Sequence, residues 1–416
     1  MAAVKKSSKA KSKMSKSKAS PKKANKVKSR AAKTPIRSRA KSIAKSYVAN
    51  QTTLAGLSGV NQKVIASLNE LGTHPNVRDM MVKQLREIEK IVYLPIGRSV
   101  REELTGPICD ALFKEAAVLN KKLSDGTIFN FVYRSKIARD FILSSADRPD
   151  HVFEPQTTKL FVKWCKSAGH VVIGGAYAGD HAILGAKSGR GTTIHCFEPS
   201  DEQRKLLVKN ASDNKVTAQI KPSPFGLWNR DKVTLELAGR DAFAYAQELR
   251  GSAKGKITFP ATSIDAYGHK NGIKNIDLIL MDIEGSELPA LRGAEHYLKQ
   301  PAGRAPSIIF EVHRFYVDWS RGLHKSDIVQ YLQKFGYHVY AMRDFQSNVP
   351  MAGCKIELIE PKDVYLEGPP HGFNMIAVKD DQFVRGDRDF KFVKNVSPKL
   401  LLHKSPELHW PSEWRK

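Results

Sequence analysis

The segment VVIGGAYAGDHAILGAKSGRGTTIHCFEPS, from Val171 to Ser200, constrains the fold more than any other part of this chain. It reads as a strand, a glycine-rich turn, a helix and a second strand that ends at Glu198. Glycine has no Cβ, so it allows a sharp turn and a close approach between backbone and ligand. A carboxylate at the end of the second strand can accept hydrogen bonds from both hydroxyls of a ribose. This order of elements predicts a site for an adenosine-containing cofactor.

The turn itself narrows the type of cofactor. Its glycines follow a G-x-x-x-G pattern, not the G-x-G-x-x-G pattern of most dinucleotide-binding folds. No P-loop lysine follows, which argues against a nucleoside triphosphate. S-adenosylmethionine has no phosphate to be held, and a looser glycine turn suits it. The residues predicted to bind S-adenosylmethionine are Gly175, Ala176, Tyr177, Gly179 and Glu198, together with Asp282 at the end of a later strand.

Strand and helix patterns alternate from Gln156 onward. The run IDLILMD at 276–282 is nearly all apolar, which is typical of a central strand that is buried on both faces. Such alternation predicts an α/β fold with a doubly wound, Rossmann-like sheet that binds its ligand at the carboxyl ends of the strands. We expect residues 151–382 to form this domain and residues 383–416 to form a C-terminal extension.

The N-terminal part of the chain has a different composition. Residues 1–48 contain 17 Lys and Arg and no Asp or Glu, a large share of the net charge of +26. With so few large apolar side chains this segment is expected to be a disordered basic tail. It could contact nucleic acid or another polyanion, act as an organelle-targeting or nuclear signal, or serve solubility. Residues 49–150 are predicted to be mainly helical, from apolar stripes at 81–92 and 108–123.

The cysteines and the hydropathy pattern bear on the compartment. The four cysteines fit neither a zinc site nor a disulfide framework, which favours a reducing, intracellular location. No uncharged apolar run reaches the roughly 20 residues that a membrane-spanning helix needs.

Acidic residues follow two consecutive predicted strands. Asp282, Glu284 and Glu287 lie in the segment MDIEGSE, while Glu311 and His313 lie in FEVHR. Both groups should reach the sheet edge that carries the glycine turn. If S-adenosylmethionine gives its methyl group to a hydroxyl, a base has to remove the hydroxyl proton. Asp282, Glu311 and His313 are therefore the candidate catalytic residues. Alternatively, Glu284 fixes its loop through backbone N–H groups, or Glu284 and the three candidate catalytic residues hold a divalent ion, which the spacing does not require.

Several motifs, in this order, resemble those of the FkbM-type methyltransferases: GGAYAG, FEPS, PFGLWN, TSID, MDIEGSELPALRGA and GFNMIAVK. The resemblance covers about residues 150–380. It implies a class I methyltransferase fold, S-adenosylmethionine as the cofactor, and O-methylation, often of sugar or polyketide hydroxyls. One position departs from the family pattern, because Ile173 stands where members often carry an Asp. Glu154 and Asp180 are the acids expected to replace that carboxylate.

Three functions are therefore compared. The leading one is an S-adenosylmethionine-dependent O-methyltransferase that acts on a glycan or a small polyhydroxylated molecule. The second is an RNA ribose methyltransferase recruited by the basic tail; base N-methylation is disfavoured because Asp282-Ile283-Glu284-Gly285 stands where an Asn/Asp-Pro-Pro-aromatic motif is common. The third is a non-catalytic binding protein that kept the fold, which the loss of the acid at Ile173 would explain.

Overall fold

The computed structural model describes residues 59–92, 99–113, 117–133, 136–144, 154–238, 245–313, 315–344, 351–365, 372–394, 397–398 and 413. The predicted basic tail at 1–48 lies outside these residues. Among the described helices, none combines the length and the apolar character that crossing a membrane requires.

The N-terminal region combines helices with one β-hairpin. Its elements are α1 (Gly59–Gly72), α2 (Pro75–Ile91), a π-helical turn (Arg101–Thr105), α3 (Gly106–Leu112), β1 (Val118–Lys122), β2 (Ile128–Val132) and α4 (Lys136–Leu143). The predicted helical stripe at 108–123 is wrong beyond Leu112, because β1 pairs antiparallel with β2. Leu119 and Leu123 are four residues apart, and that spacing fits one face of a helix and one face of a strand equally well.

The central part of the chain begins the large sheet and then forms a second, smaller one. Its elements are α5 (Pro155–Cys165), β3 (His170–Gly174), α6 (Asp180–Ser188), β4 (Thr193–Phe197), α7 (Asp201–Asp213), β5 (Ile220–Ser223), β6 (Gly226–Leu227), β7 (Val233–Ala238), β8 (Tyr245–Glu248), β9 (Thr258–Thr262) and α8 (Ile264–Lys270). Strands β6 to β9 form a four-stranded sheet in the order β6-β9-β7-β8. The sequence patterns gave no indication of this insertion.

The remaining elements complete the large sheet. They are β10 (Leu278–Met281), α9 (Glu287–Arg292), α10 (Glu295–Leu298), β11 (Ser307–His313), a 3₁₀ turn (Leu323–Lys325), α11 (Asp327–Lys334), β12 (His338–Met342), β13 (Ile356–Ile359), β14 (Gly372–Val378), α12 (Gln382–Arg385) and β15 (Phe390–Phe392). The nine strands lie in the order β15-β13-β12-β14-β11-β10-β3-β4-β5. Strands β5, β4, β3, β10 and β11 are parallel, whereas β14 runs antiparallel between β11 and β12.

Both faces of the large sheet are covered. Ile173 and Leu280 belong to one hydrophobic core, which also contains residues of α2, α5 and α6. Val172 and Met281, their neighbours along the strands, belong to a second core with residues of α9 and α11. Because successive side chains of a strand point to opposite faces, this alternation places a layer on each side of the sheet. The predicted doubly wound α/β sheet of the class I methyltransferase type is confirmed.

Candidate active site

The glycine-rich turn after β3 is held against the ends of two neighbouring strands. The N–H groups of Gly175 and Ala176 both donate to the carbonyl of Phe197, at 3.0 and 3.1 Å. Gly175 has a φ of +76°, and a Cβ at this position would lie 2.0 Å from the carbonyl oxygen of Asp282. Only glycine satisfies both conditions without a shift of the backbone. The turn therefore brings the ends of β3, β4 and β10 together.

Glu198 joins this turn to the end of β4. Its Oε2 accepts from the N–H of Tyr177 at 2.9 Å, and its Oε1 accepts from the N–H of Ser200 at 2.8 Å. Burial raises the pKa of Glu198 although both hydrogen bonds favour the charged form. A carboxylate offers about four acceptor positions, so two remain for a ribose. The free acceptor positions of Glu198 thus fit the two ribose hydroxyls of the predicted cofactor.

Tyr177 and Gly179 occupy the far side of the same turn. Tyr177 has a φ of +44°, and its half-buried ring packs against a small cluster formed by Val132, Ala178 and Leu206. Gly179 precedes α6 with a φ of +90°. The structure therefore places all the predicted cofactor-binding residues at one edge of the sheet, with the ring of Tyr177 turned to the hairpin strand β2.

Three carboxylates gather beside the turn, at the ends of β10 and β11. One oxygen each of Asp282, Glu284 and Glu311 lies within 4.8 Å of the others. Among the described residues this acid cluster has no histidine member. Instead, Nδ1 of His313 accepts from the N–H of Phe315 at 3.1 Å, and the two rings stack with centroids 4.8 Å apart. The sequence predicted that the three acids of MDIEGSE would share this edge with Glu311 and His313. Asp282, Glu284 and Glu311 form the group.

The acid cluster is electrostatically unusual. Burial, followed by the charges of Asp282 and Glu287, raises the pKa of Glu284 to about 9. The same effects raise the pKa of Glu311 well above its usual value. Oε2 of Glu284 is buried and has no hydrogen-bond partner among the described residues, and Glu284 itself has a φ of +46°. Strained backbone and carboxylates with raised pKa values are typical of functional sites.

Glu287, and not Glu284, fixes the loop after β10. Its Oε1 accepts from the N–H of Ile283 at 3.1 Å and from the N–H of Gly285 at 3.3 Å. Glu287 is 3% exposed, and burial raises its pKa to about 8. The sequence interpretation that Glu284 anchors this loop is therefore wrong. Glu284 is left facing the other carboxylates.

Two further charged residues, which the sequence did not mark as central, face the acid cluster. Glu154 has a φ of +39°, accepts from Nδ2 of Asn374 at 2.7 Å, and contributes to the raised pKa values of the cluster. His181 is buried, with Nδ1 3.0 Å from Oδ2 of Asp180. Burial lowers the pKa of His181, but Asp180, Glu154 and the cluster outweigh this effect, so the net shift is upward.

Ile173, which stands where family members often carry an Asp, is only 1% exposed and lies within the core.

Gly372 makes room for the side chains at the end of β11. It lies opposite His313 in the antiparallel pairing of β14 with β11. A Cβ at Gly372 would lie 1.8 Å from Oε1 of Glu311 and 3.1 Å from Cδ2 of His313. The absent side chain of Gly372 therefore defines the space that the Glu311 carboxylate occupies.

Aromatic rings border the acid cluster. The ring of Tyr316 packs on Gly285, where a Cβ would lie 2.4 Å from the ring. Burial and the charges of Glu284 and Glu311 raise the pKa of the Tyr316 hydroxyl. Tyr245 of β8 approaches Tyr316 with ring centroids 5.9 Å apart. The four-stranded sheet thus contributes an aromatic side chain next to the cluster.

An α/β sheet with this glycine turn, an acid after the second strand and carboxylates after the fourth defines a class I methyltransferase. Residues 174–339 match the family model described as the methyltransferase FkbM domain. This match to the FkbM domain agrees with the family resemblance that the motifs predicted. A search of curated proteins found no significant match.

Solved structures similar to this one include three proteins in complex with SAH or S-adenosylmethionine. An O-methyltransferase from Bacillus cereus in complex with SAH is 15% identical, with 55% of this chain and 83% of that chain covered and a TM-score of 0.30. The O-methyltransferase TomG from Streptomyces achromogenes, in complex with SAM, is 11% identical, with 59% of this chain and 87% of that chain covered and a TM-score of 0.29. TYW2 from M. jannaschii, in complex with AdoMet, is 13% identical, with 64% of this chain and 85% of that chain covered and a TM-score of 0.32. Scores at this level carry no information about the acceptor.

Proposed function

We propose that this protein is an S-adenosylmethionine-dependent O-methyltransferase that acts on a hydroxyl of a glycan or a small polyhydroxylated molecule. The observation that carries the proposal is the position of the acid cluster. Its three carboxylates lie at the ends of β10 and β11, and the carbonyl of Asp282 contacts Gly175 of the cofactor turn. A proton acceptor beside the turn is what methylation of a weakly acidic hydroxyl requires.

The residues that would hold the cofactor are the turn from Gly175 to Gly179 and the carboxylate of Glu198. When bound, S-adenosylmethionine supplies an electrophilic methyl group on its sulfonium. The protein's part is then to orient the acceptor oxygen and to exclude water, which effectively raises the local concentration of the nucleophile. Any carboxylate of the acid cluster that is ionised also favours a cationic group nearby.

Within this proposal Asp282 and Glu311 are the bases. The raised pKa of Glu311 makes it a stronger proton acceptor than an ordinary carboxylate once it is ionised. His313 is the third candidate. Its Nδ1 accepts the N–H of Phe315, so the neutral ring carries its proton on Nε2, and His313 can act as a base only after Nδ1 gives up that hydrogen bond.

The acceptor class is inferred from the rings beside the acid cluster. Tyr245, Phe315 and Tyr316 are half-buried, so part of each ring remains accessible. Flat aromatic faces next to carboxylates suit a sugar, because the rings pack on its C–H faces while the carboxylates accept from its hydroxyls. This combination supports a glycan or polyol acceptor.

A labelled-methyl transfer assay with glycans, polyols and RNA as separate acceptors tests the proposal. We expect transfer to glycans or polyols and none to RNA. Glu311→Gln should lower kcat by about 10²-fold or more while the Kd for S-adenosylhomocysteine stays near the wild-type value. Glu198→Gln should instead raise that Kd, and Glu70→Gln, on an exposed side chain, serves as the matched control. Methylation of RNA alone would contradict the acceptor class, and absence of cofactor binding would contradict the whole proposal.

A further inference from the structure

One edge of the N-terminal hairpin is satisfied by a helix. Asn214 accepts from the N–H of Ile128 at 2.9 Å and donates to the carbonyl of Ile128 at 2.6 Å. Asn210 accepts from the N–H of Asn130 at 2.7 Å and donates to its carbonyl at 2.9 Å. Each side-chain amide therefore pairs with one residue of β2 as a neighbouring strand would.

The spacing of the two asparagines explains why this pairing works. Four residues of an α-helix rise about 6.0 Å. Two residues of a strand rise about 6.8 Å, and they present their backbone groups on the same edge. Asn210 lies on the last turn of α7, and Asn214, four residues later, is the C-cap of that helix. The two asparagines therefore meet Asn130 and Ile128, which are two residues apart on β2.

Asn210 makes one contact that Asn214 does not make. Its Nδ2 also donates to the carbonyl of Ala178 at 2.8 Å, within the glycine-rich turn. The corresponding second donation of Asn214 goes to the carbonyl of Asn210, inside the same helix. Asn210 is fully buried. One amide nitrogen therefore joins the hairpin to the turn.

Apolar and charged contacts support the same connection. Val132 of β2 packs with Ala178 and Leu206, and the ring of Tyr177 lies against them. Lys187 of α6, the helix that follows the turn, donates to Oγ1 of Thr127 at the start of the hairpin strand. The hairpin thus contacts the turn and both helices that flank it.

We propose that Asn210 is a positioning residue for the cofactor turn, and that the hairpin at 118–132 is part of the cofactor-binding unit. The hairpin lies outside the family-matched segment 174–339. The donation to the carbonyl of Ala178 fixes the peptide between Ala178 and Gly179, in the same turn as the Tyr177 N–H that donates to Glu198. The proposal rests on the proposed function in that it assigns the turn to S-adenosylmethionine.

Two isosteric variants of the full chain separate positioning from general support. Asn210→Asp removes the donations to Ala178 and Asn130, whereas Asn214→Asp removes two donations without touching the turn. We expect Asn210→Asp to raise the calorimetric Kd for S-adenosylhomocysteine at least tenfold more than Asn214→Asp does. The KM for S-adenosylmethionine should rise while kcat changes little, although both variants lose similar thermal stability. Equal effects on Kd would overturn the proposal.

A second measurement keeps the proposal testable without the cofactor. Hydrogen exchange of the backbone amides at 175–179 reports the order of the turn directly. In Asn210→Asp, or in Asn210→Ala if that variant folds better, these amides should exchange at least tenfold faster than in Asn214→Asp. Unchanged exchange would overturn the positioning role. Failure of the wild-type protein to bind S-adenosylhomocysteine would instead overturn the proposed function and leave this readout valid.

Discussion

Replacing Glu284 by Gln should stabilise the protein, and more so as the pH rises. Glu284 lies among carboxylates, and burial with neighbouring charge raises its pKa from 4.5 to about 9. The folded protein therefore holds a proton that the unfolded chain releases above about pH 4.5. Since the folded state binds more protons between these values, the wild-type free energy of unfolding falls as the pH rises from about 4.5 towards 9. Gln does not titrate, so the Glu284→Gln variant does not lose this part of its free energy of unfolding as the pH rises.

The size of the effect follows from the same pKa. At pH 7 the pH is about 2.5 units above the usual Glu value, and each unit is worth about 1.4 kcal/mol, which gives about 3.5 kcal/mol. Solvent screening of the partly exposed side chain reduces this to roughly 1–3 kcal/mol. At roughly 2 °C per kcal/mol for a large domain, Tm should rise by about 2–6 °C at pH 7. At pH 5 the corresponding rise is about 1 °C or less.

The assay is thermal unfolding of the cofactor-free protein from pH 5 to pH 9, followed by circular dichroism. Glu70→Gln removes the same charge from an exposed helix position and is the control. Its Tm should follow that of the wild-type protein at every pH. A Glu284→Gln variant whose Tm difference from the wild type is constant, or shrinks, with rising pH would refute the electrostatic reasoning.

Three further outcomes are expected. Gly372 has a backbone conformation that alanine can adopt, so Gly372→Ala should displace the Glu311 carboxylate without straining the backbone. We expect kcat to fall at least tenfold with a Tm within about 3 °C of the wild type, and an unchanged kcat would contradict the role of Glu311. His181→Gln should destabilise the protein by about 1–3 kcal/mol below pH 6.5, where the raised pKa of His181 contributes fully, and the difference should fade as the pH rises through that pKa; a pH-independent difference in urea unfolding would argue against a charged His181. EDTA should leave transfer unchanged if the acid cluster acts as a base alone, whereas loss of activity that Mg²⁺ restores would favour the metal alternative.

The sequence predicted the fold correctly where its hydrophobic pattern or its glycines fitted only one type of element. The run from Leu278 to Met281 is wholly apolar, and the turn at Gly175 needs a residue without a Cβ, so strand and turn were recognisable. The helix predicted through Leu123 failed because a four-residue spacing serves strands as well as helices. The four-stranded sheet was missed because its strands are short and only partly apolar.

The site was predictable to the level of strand ends and no further. Parallel strands bring their carboxyl ends to one edge, so the meeting of Asp282 with Glu311 followed from topology. Which acid of the segment MDIEGSE anchors the loop depends on backbone directions that the sequence does not give. For this reason the loop-fixing role was assigned to Glu284, although Glu287 performs it. Asn210 was overlooked too, because its partners are backbone groups 32 and 80 residues away.

The edge of the nine-stranded sheet formed by β15 bears on how readily the sheet could pair with another molecule. Strand β13 is fully buried and largely aliphatic, and β15 covers its outer side with only three residues. The side chain of Lys391 in β15 is exposed, and so short and charged a border offers little for another molecule to pair with. Removing β15 would leave the backbone groups of Ile356 and Leu358 open to a neighbouring copy. We therefore expect loss of β15 to promote self-association through β13.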